Sequence, residues 1–458
     1  MKRDFAALNG EFDLLICGGG IYGAWTAYDA ALRGLKVALV EQGDWASATS
    51  SASSKLIHGG LRYLETFDFK LVRKALKERK MLLQVAPHRV WPLRFGVPVY
   101  ADSRNVTIKL KAGLTLYDAL AGFPGEQMRH RHLDHAHFAE HFPFLADGSL
   151  KGGFTYGDAQ TDDARLVLEL VAGAMAHGAV CVNYAKLISW REDRGHVCGT
   201  TVRDGVSNDT IQVRARQYVS TAGQWQTLTS PGRAWCRMSK GIHLVLPALK
   251  THEAILLTTK ADGRVFFIIP WYGRTLLGTT DTDYQGDIDN VSVEPDEVEY
   301  LLSAANHYLK IAWTTQDVIA SYAGIRVMKQ SENASLSDVS RDWELKTAGN
   351  RLHHAIGGKL TSAREDAAVI VDAVCAHLGV TNACATKGRA FPWKPVQNFV
   401  VWMKEFNGHA QRIGVDAECA GWLLRRYGAR AEYVLDIVEQ EPHLGSRIVS
   451  DLPFIFDD

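Results

Sequence analysis

Residues 12–41 read FDLLICGGGIYGAWTAYDAALRGLKVALVE, and this run decides the fold. FDLLIC is a short apolar run of the kind that is buried in a parallel strand. Gly18, Gly20 and Gly23 then complete a G-x-G-x-x-G turn, with Gly19 inside it. IYGAWTAYDAALRG has helical character and ends at a glycine after Arg33. KVALVE is the second strand and closes with Glu41, eighteen residues beyond Gly23. The first glycine makes the turn, the second lets backbone approach a pyrophosphate, and the third allows close helix–strand packing. The helix start offers unpaired N–H groups to phosphates. Glu41, with Gln42 beside it, can accept hydrogen bonds from a ribose diol. Strand, turn, helix, strand and terminal acid in register make a dinucleotide site. The turn by itself does not choose between a nicotinamide and a flavin.

The next stretch, SSASSKLIHGGLRYLE (50–65), is unusual for a connector. Hydroxyls of Thr49, Ser50, Ser51, Ser53 and Ser54 can bond a pyrophosphate and a ribityl chain. Gly59 and Gly60 let backbone pass close to a flat ring. For any single serine, a polar loop with local caps is the plainer reading.

At 458 residues the chain divides into two or three domains. Its 47% apolar and 22% charged content is that of an ordinary globular protein. Fifty-one basic and fifty-one acidic residues cancel, so charge gives no reason to expect a nucleic-acid partner. Seven cysteines, odd in number and without a C-x-x-C pair, suit reduced thiols in a cytosol. MKRDFAALNGEFD lacks the apolar core of a secretion signal. No run of about eighteen apolar residues is present to span a bilayer. The expected location is cytoplasmic.

Further along, DDARLVLELVAGAMAHG predicts a helix with Asp162 or Asp163 as N-cap and Gly178 as terminator. AVCVNYAKLISWRED and IQVRARQYVSTAG read as strands, the latter ending at a turn on Gly223. GIHLVLP, AILLTT and RVFFIIPWYGRTLLGTTD alternate and carry hairpin signals, which predicts an antiparallel sheet. A helix is expected from about Pro295, and helices dominate after about residue 376. In GGKLTSAREDAAVIV (357–371), Ser362 and Glu365 match an S-x-x-E capping box. The five histidines of RHRHLDHAHFAEHF have no cysteine nearby and read as a solvated face, not a metal site.

CGGGIYGA, ATSSASSKLIHGGLRYLE, DDARLVLEL, GTTD, YAGIR, SRDWEL and GGKLTSAR occur in this order. In that respect the chain resembles the FAD-dependent glycerol-3-phosphate dehydrogenases and oxidases, within the wider D-amino-acid-oxidase-like flavoproteins. The likeness covers roughly residues 12–375 and continues more faintly to the end. It implies FAD and an α/β fold. A Rossmann-like FAD domain (1–95, 150–230 and 326–375) would interleave with an antiparallel-sheet substrate domain (96–149 and 231–325), followed by a helical domain (376–458). The cofactor residues it implies are Gly18, Gly19, Gly20, Tyr22, Gly23, Glu41, Gln42, Thr49, Ser50, Ser54, Leu56, Ile57, His58, Gly59, Gly223, Gly358, Lys359, Leu360 and Thr361. The implied reaction is oxidation of sn-glycerol 3-phosphate to dihydroxyacetone phosphate by hydride transfer to flavin N5. Quinone or oxygen is the implied electron acceptor. The segment VTIKLKAGLTLYDALAG resembles the family's membrane-proximal region, which implies a peripheral place on the cytoplasmic face of a membrane. No oligomeric state is assigned.

A phosphorylated alcohol brings a dianion whose unpaired burial is prohibitive. Charge-assisted bonds of about 1.5–3 kcal/mol each must converge on it. Arg62, Tyr63, Thr279 and Arg341 match the family's substrate positions. For the hydroxyl proton, His243 and Arg326 compete by resemblance. Histidine is the better base, whereas arginine polarises the hydroxyl and stabilises a developing alkoxide. Lys359 stands where the family places a lysine near flavin and substrate, and a helix start behind it would favour an anionic reduced ring. Two other readings stay open: the same chemistry on another phosphorylated polyol or an amine, and a flavin-binding protein without turnover. The chain departs from the family at Tyr22, usually Asn, and at Trp25 and Tyr28, which are bulkier than usual. Gln224 replaces the Pro of the common ATGPW, and the C-terminus is shorter.

Overall fold

The computed structural model describes residues 1–101, 107–228, 235–330, 342–349 and 351–458. Among these, the first sheet runs in the order Glu344–Ala348, Leu352–Ile356, Thr210–Ser220, Glu11–Cys17, Val37–Val40, Val180–Val182. All neighbours are parallel except the first pair. The central strand pairs Leu14 with Val37 on one side and Gln217 on the other, so both of its edges are used. Leu14, Leu15 and Ile16 are fully buried. That explains a continuous apolar run where an alternating one would suit a half-exposed strand.

The helix Ile21–Leu32 follows, with Gly34 beyond it at φ 85°. Two of its bulky residues, Trp25 and Tyr28, pack away from the cavity. Trp25 packs edge-on against Phe391, and Tyr28 lies over Gly173 of the helix Asp163–Ala176, where a Cβ would meet the ring at 2.9 Å. The departures at Trp25 and Tyr28 therefore repack helices and leave the ligand cavity alone. Asp162 caps Asp163–Ala176 by accepting the Arg165 N–H.

The stretch expected as one strand at 179–193 is two. Val180–Val182 extends the parallel sheet, the chain reverses at Tyr184 (φ 49°), and Ala185–Asp193 joins an antiparallel ribbon with His196–Asp204. The second sheet is antiparallel apart from one parallel pair, and it contains Cys236–Leu246, Ala254–Thr258, Val265–Trp271, Arg274–Gly278 and Ala320–Lys329. Val90–Tyr100 and Leu150–Thr161 pair along their length in this sheet. The expected boundary at 95 falls inside the first of these strands, and the one at 150 coincides with the start of the second. The helices Phe399–Arg412, Ala417–Tyr427 and Ala431–Gln440 pack around Trp402, Phe406, Leu423 and Leu435 as a separate apolar cluster.

The strand Leu352–Ile356 carries a buried histidine with both ring nitrogens used. His353 Nε2–H donates to Gln217 at 3.0 Å, and Nδ1 accepts the Thr347 hydroxyl at 2.9 Å. A neutral ring satisfies both partners, one nitrogen donating and the other accepting. Burial first, then His377 and His354, pull its pKa down to about 4. Between the ordinary value of 6.5 and about 4, the unfolded chain takes up a proton that the folded chain refuses. Stability from this group is therefore complete above 6.5 and is lost as pH falls towards 4. The urea midpoint should drop between pH 7 and pH 4.5, and His353→Gln should flatten the drop. An identical pH dependence in the variant would show that His353 does not contribute.

Candidate active site

Both sheets meet at a cavity of about 620 Å³, inside the roughly 300–1,000 Å³ typical of small-molecule sites. It begins at the carboxyl end of the parallel strands, where such sheets bind ligands. Gly18, Gly20, Tyr22, Glu41, Gln42, Thr49, Ser50, Ser54, Leu56, His58, Gly223, Gly358, Lys359, Leu360 and Thr361 line it. Tyr63, Thr279, His243 and Arg326 line it as well. Gly19, Gly23, Ile57, Gly59 and Arg62 are not in its wall. Arg341 lies outside the described residues.

The residues behind the wall shape it. A Cβ at Gly23 would stand 1.8 Å from the Gly18 carbonyl oxygen, so only glycine lets the helix seat on the strand. Gly18, at φ 109°, would place a Cβ 2.5 Å from the Thr221 carbonyl. Glu41 accepts the Gly19 N–H at 2.6 Å and the Gly43 N–H at 2.8 Å, which fixes the carboxylate at the cavity edge. Burial raises its pKa, against the pull of those amides. Ile57 is fully buried. The Gly59 N–H reaches the Tyr117 hydroxyl (2.9 Å) and Asp158 (3.2 Å), and Asp158 in turn is paired with Arg79. A buried ion pair thus supports the glycine loop from beneath. Arg62 occupies the short turn Leu61–Leu64 beside Tyr63.

The hydroxyl-rich stretch is largely spent on the protein itself. Thr49 donates to the Ile325 carbonyl at 2.6 Å, and Ser50 Oγ accepts the Ile21 N–H at 2.9 Å. Ser53 donates to Asp163 at 2.6 Å, and Lys55 Nζ pairs with the same carboxylate at 2.7 Å. Ser54 Oγ lies 2.8 Å from His243 Nε2. For these hydroxyls the plainer reading of a polar, locally bonded loop describes the contacts: they bond carbonyls, amides and side chains of the protein and tie the loop down, while Thr49, Ser50 and Ser54 also line the cavity. Thr361 joins the two glycine-rich stretches by accepting the His58 N–H at 3.2 Å. The Ser362–Glu365 capping box does not form, because Ser362 Oγ–H donates to the buried Asp366 at 2.9 Å.

At the second-sheet end the cavity is polar. Arg326 donates to Thr279 Oγ1 (2.9 Å), Ser239 Oγ (3.4 Å) and the Thr280 carbonyl (3.3 Å), and pairs with Asp281 at 3.3 Å. Its side chain stays one-quarter exposed, at 25%. His243 is 2% exposed and stacks on Tyr322 with ring centroids 4.9 Å apart. Burial, then Arg326 and Lys55, push its pKa well below 6.5, so the ring is neutral. Lys359 Nζ stands 3.6 Å from the Tyr63 ring centroid.

One wall was not foreseen. Lys186, Ile188 and Trp190 of the ribbon strand face the cavity's first-sheet end. No local sequence signal marks it, because the reversal that sets it falls at Tyr184, at φ 49°. The cradle of glycines, the helix start at Ile21, the acid at Glu41 and the volume of the cavity together fit a dinucleotide flavin.

Residues 13–386 match the family model of FAD dependent oxidoreductases. The chain is 35% identical over 480 residues to a glycerol-3-phosphate dehydrogenase of Synechocystis, covering 99% of this chain and 86% of the relative. It is 34% identical over 461 residues to an aerobic glycerol-3-phosphate dehydrogenase of Staphylococcus aureus, covering 96% and 82%. The glycerol-3-phosphate dehydrogenase of Bacillus halodurans complexed with FAD superposes with a TM-score of 0.77 at 31% identity, covering 95% of this chain and 79% of that one. The family match spans the cradle and both sheets, so the chain belongs to the FAD dependent oxidoreductases.

Proposed function

We propose that this chain oxidises sn-glycerol 3-phosphate to dihydroxyacetone phosphate with FAD as its cofactor. The observation that carries this reading is that Arg326, Thr279, His243, Tyr63 and Lys359 all line the dinucleotide cavity. The cavity would hold FAD, which would supply the hydride acceptor for oxidation of the carbinol carbon. The protein handles the rest. Lys359 and Tyr63 supply charge and a hydroxyl for the phosphate. Arg326, always protonated, draws negative charge onto the carbinol oxygen as its proton leaves. His243, kept neutral by burial and held by Ser54, is the proton acceptor in this scheme. Holding carbon, hydroxyl and phosphate at once is the larger part of the task. The Thr361 bridge and the Asp158–Arg79 support serve that positioning.

The first sheet with its helices is the cofactor domain in this reading, the second sheet the substrate domain, and residues from about 376 a helical third. Quinone is the proposed acceptor, reached from a peripheral position on a membrane. Among the described residues no helix is long and apolar enough to cross a membrane. Phe67 (76% exposed) lies just past the Leu61–Leu64 turn and Ile108 (78% exposed) stands on the Thr107–Leu120 helix, and the Lys109–Glu65 ion pair ties the two segments together at 3.2 Å. Exposed apolar residues beside lysines suit a lipid interface.

Anaerobic mixing tests the reaction. Glycerol 3-phosphate should bleach the yellow flavin band in stoichiometric amount, and glycerol at the same concentration should not. A fully FAD-loaded protein that glycerol 3-phosphate leaves yellow would refute the reading.

A further inference from the structure

Tyr22 stands in the first turn of the helix that opens the cradle, yet its phenol works at the far side of the cavity. Its oxygen accepts the Lys359 N–H at 3.2 Å and its hydrogen goes to Asp366 Oδ2 at 2.5 Å. Asp366 is itself fully buried and holds the Ser362 hydroxyl and the Lys74 ammonium, so three donors fix the carboxylate. Burial, then Asp366, raises the Tyr22 pKa well above 10.0, and the phenol stays a neutral donor.

The backbone it meets is built around it. Gly358 sits at φ 106°, and a Cβ there would stand 1.8 Å from the Tyr22 oxygen. The Gly357–Lys359 turn is therefore moulded on the phenol, and its next side chain carries Lys359 Nζ onto the Tyr63 ring, 3.6 Å from the centroid. The shorter asparagine that the resemblance leads one to expect at position 22 would not span from this helix to Asp366.

We propose that Tyr22 is a positioning residue that clamps the Gly358–Lys359 backbone and thereby sets where the Lys359 ammonium meets the phosphate of the substrate. The proposal rests on the reading that this cavity takes a phosphate dianion. Tyr22 acts through Lys359, so its contribution disappears when Lys359 carries no charge.

The test uses the FAD-loaded protein with inorganic phosphate as probe, its binding read from the flavin difference spectrum. Four proteins are titrated: wild type, Tyr22→Phe, Lys359→Met and the double variant. Tyr22→Phe keeps the ring and should weaken phosphate binding about tenfold, the equivalent of roughly 1.4 kcal/mol. In the Lys359→Met background the same change should have no further effect. Tyr22→Asn, which also frees the Lys359 N–H, should behave as Tyr22→Phe does and serves if that variant folds poorly. Unchanged phosphate affinity in Tyr22→Phe, an equal loss with and without Lys359, or a wild type that binds no phosphate would each overturn the proposal. Failure of glycerol 3-phosphate to bleach the wild type, with phosphate binding intact, would instead count against the substrate alone.

Discussion

Arg326→Met should lower kcat for glycerol 3-phosphate oxidation about 10²–10³-fold while FAD stays bound, a loss typical of removing one charge-stabilising donor from an active site. The guanidinium is held on four sides, by Thr279, Ser239, the Thr280 carbonyl and Asp281, and still keeps a quarter of its surface open. A group fixed before the substrate arrives costs no reorganisation when charge develops. KM should change less than kcat, since the substrate phosphate is gripped elsewhere. A second signature follows from His243. Arg326 is, after burial, the next cause of the low His243 pKa. Its removal should raise that pKa towards 6.5, so the acid limb of the kcat/KM profile moves to higher pH. Stopped-flow reduction across a pH series reads both. An unaltered reduction rate would remove Arg326 from the chemistry.

Glu169→Ala should destabilise the protein by about 3–5 kcal/mol, because it strands a buried cation. Glu169 is fully buried in the middle of the helix Asp163–Ala176. It takes Arg89 Nε at 2.7 Å, His88 Nε2 at 3.0 Å and the Trp393 N–H at 2.8 Å. Burial works to raise its pKa, but His88 and Arg89 outweigh it and hold the carboxyl at about 2. Stability from this group is full above the ordinary value of 4.5 and disappears as pH falls towards 2. Arg89 continues to the Arg425 and Arg426 carbonyls at 2.6 and 2.9 Å, so the carboxylate joins the helical third to the cofactor region. Thermal and urea unfolding at pH 7 read the loss. A double change, Glu169→Leu with Arg89→Met, should recover much of it, since neither charge is then left alone. A single variant as stable as wild type would show that the cluster adds nothing.

Much of this was readable from the chain because the deciding patterns are local. The strand, turn and helix of residues 12–34 follow from apolar run and glycine spacing, each within one element. The glycine at 23 announced a close helix–strand approach, which the 1.8 Å a Cβ there would leave to the Gly18 carbonyl oxygen bears out. The use of the hydroxyls was not readable. Ser53, Ser54 and Thr49 find their partners 110, 189 and 276 residues away, and nothing near them in sequence tells a ligand-facing hydroxyl from a protein-facing one. The ribbon wall at 186–190 was hidden for a different reason. Its reversal rests on Tyr184 at a positive φ, a conformation that a tyrosine does not advertise. Ser362 misled because its partner, Asp366, is buried and needs a proton donor more than the helix end does.

One helix links distant parts of the molecule. At its start, Asp163 anchors Lys55 and Ser53 of the loop along the cavity, and just under two turns later Glu169 anchors the bundle through Arg89. Cofactor release and bundle detachment therefore draw on the same rod. Saturating FAD should raise the melting temperature of the C-terminal helices along with that of the cradle, so that the two melt as one cooperative unit.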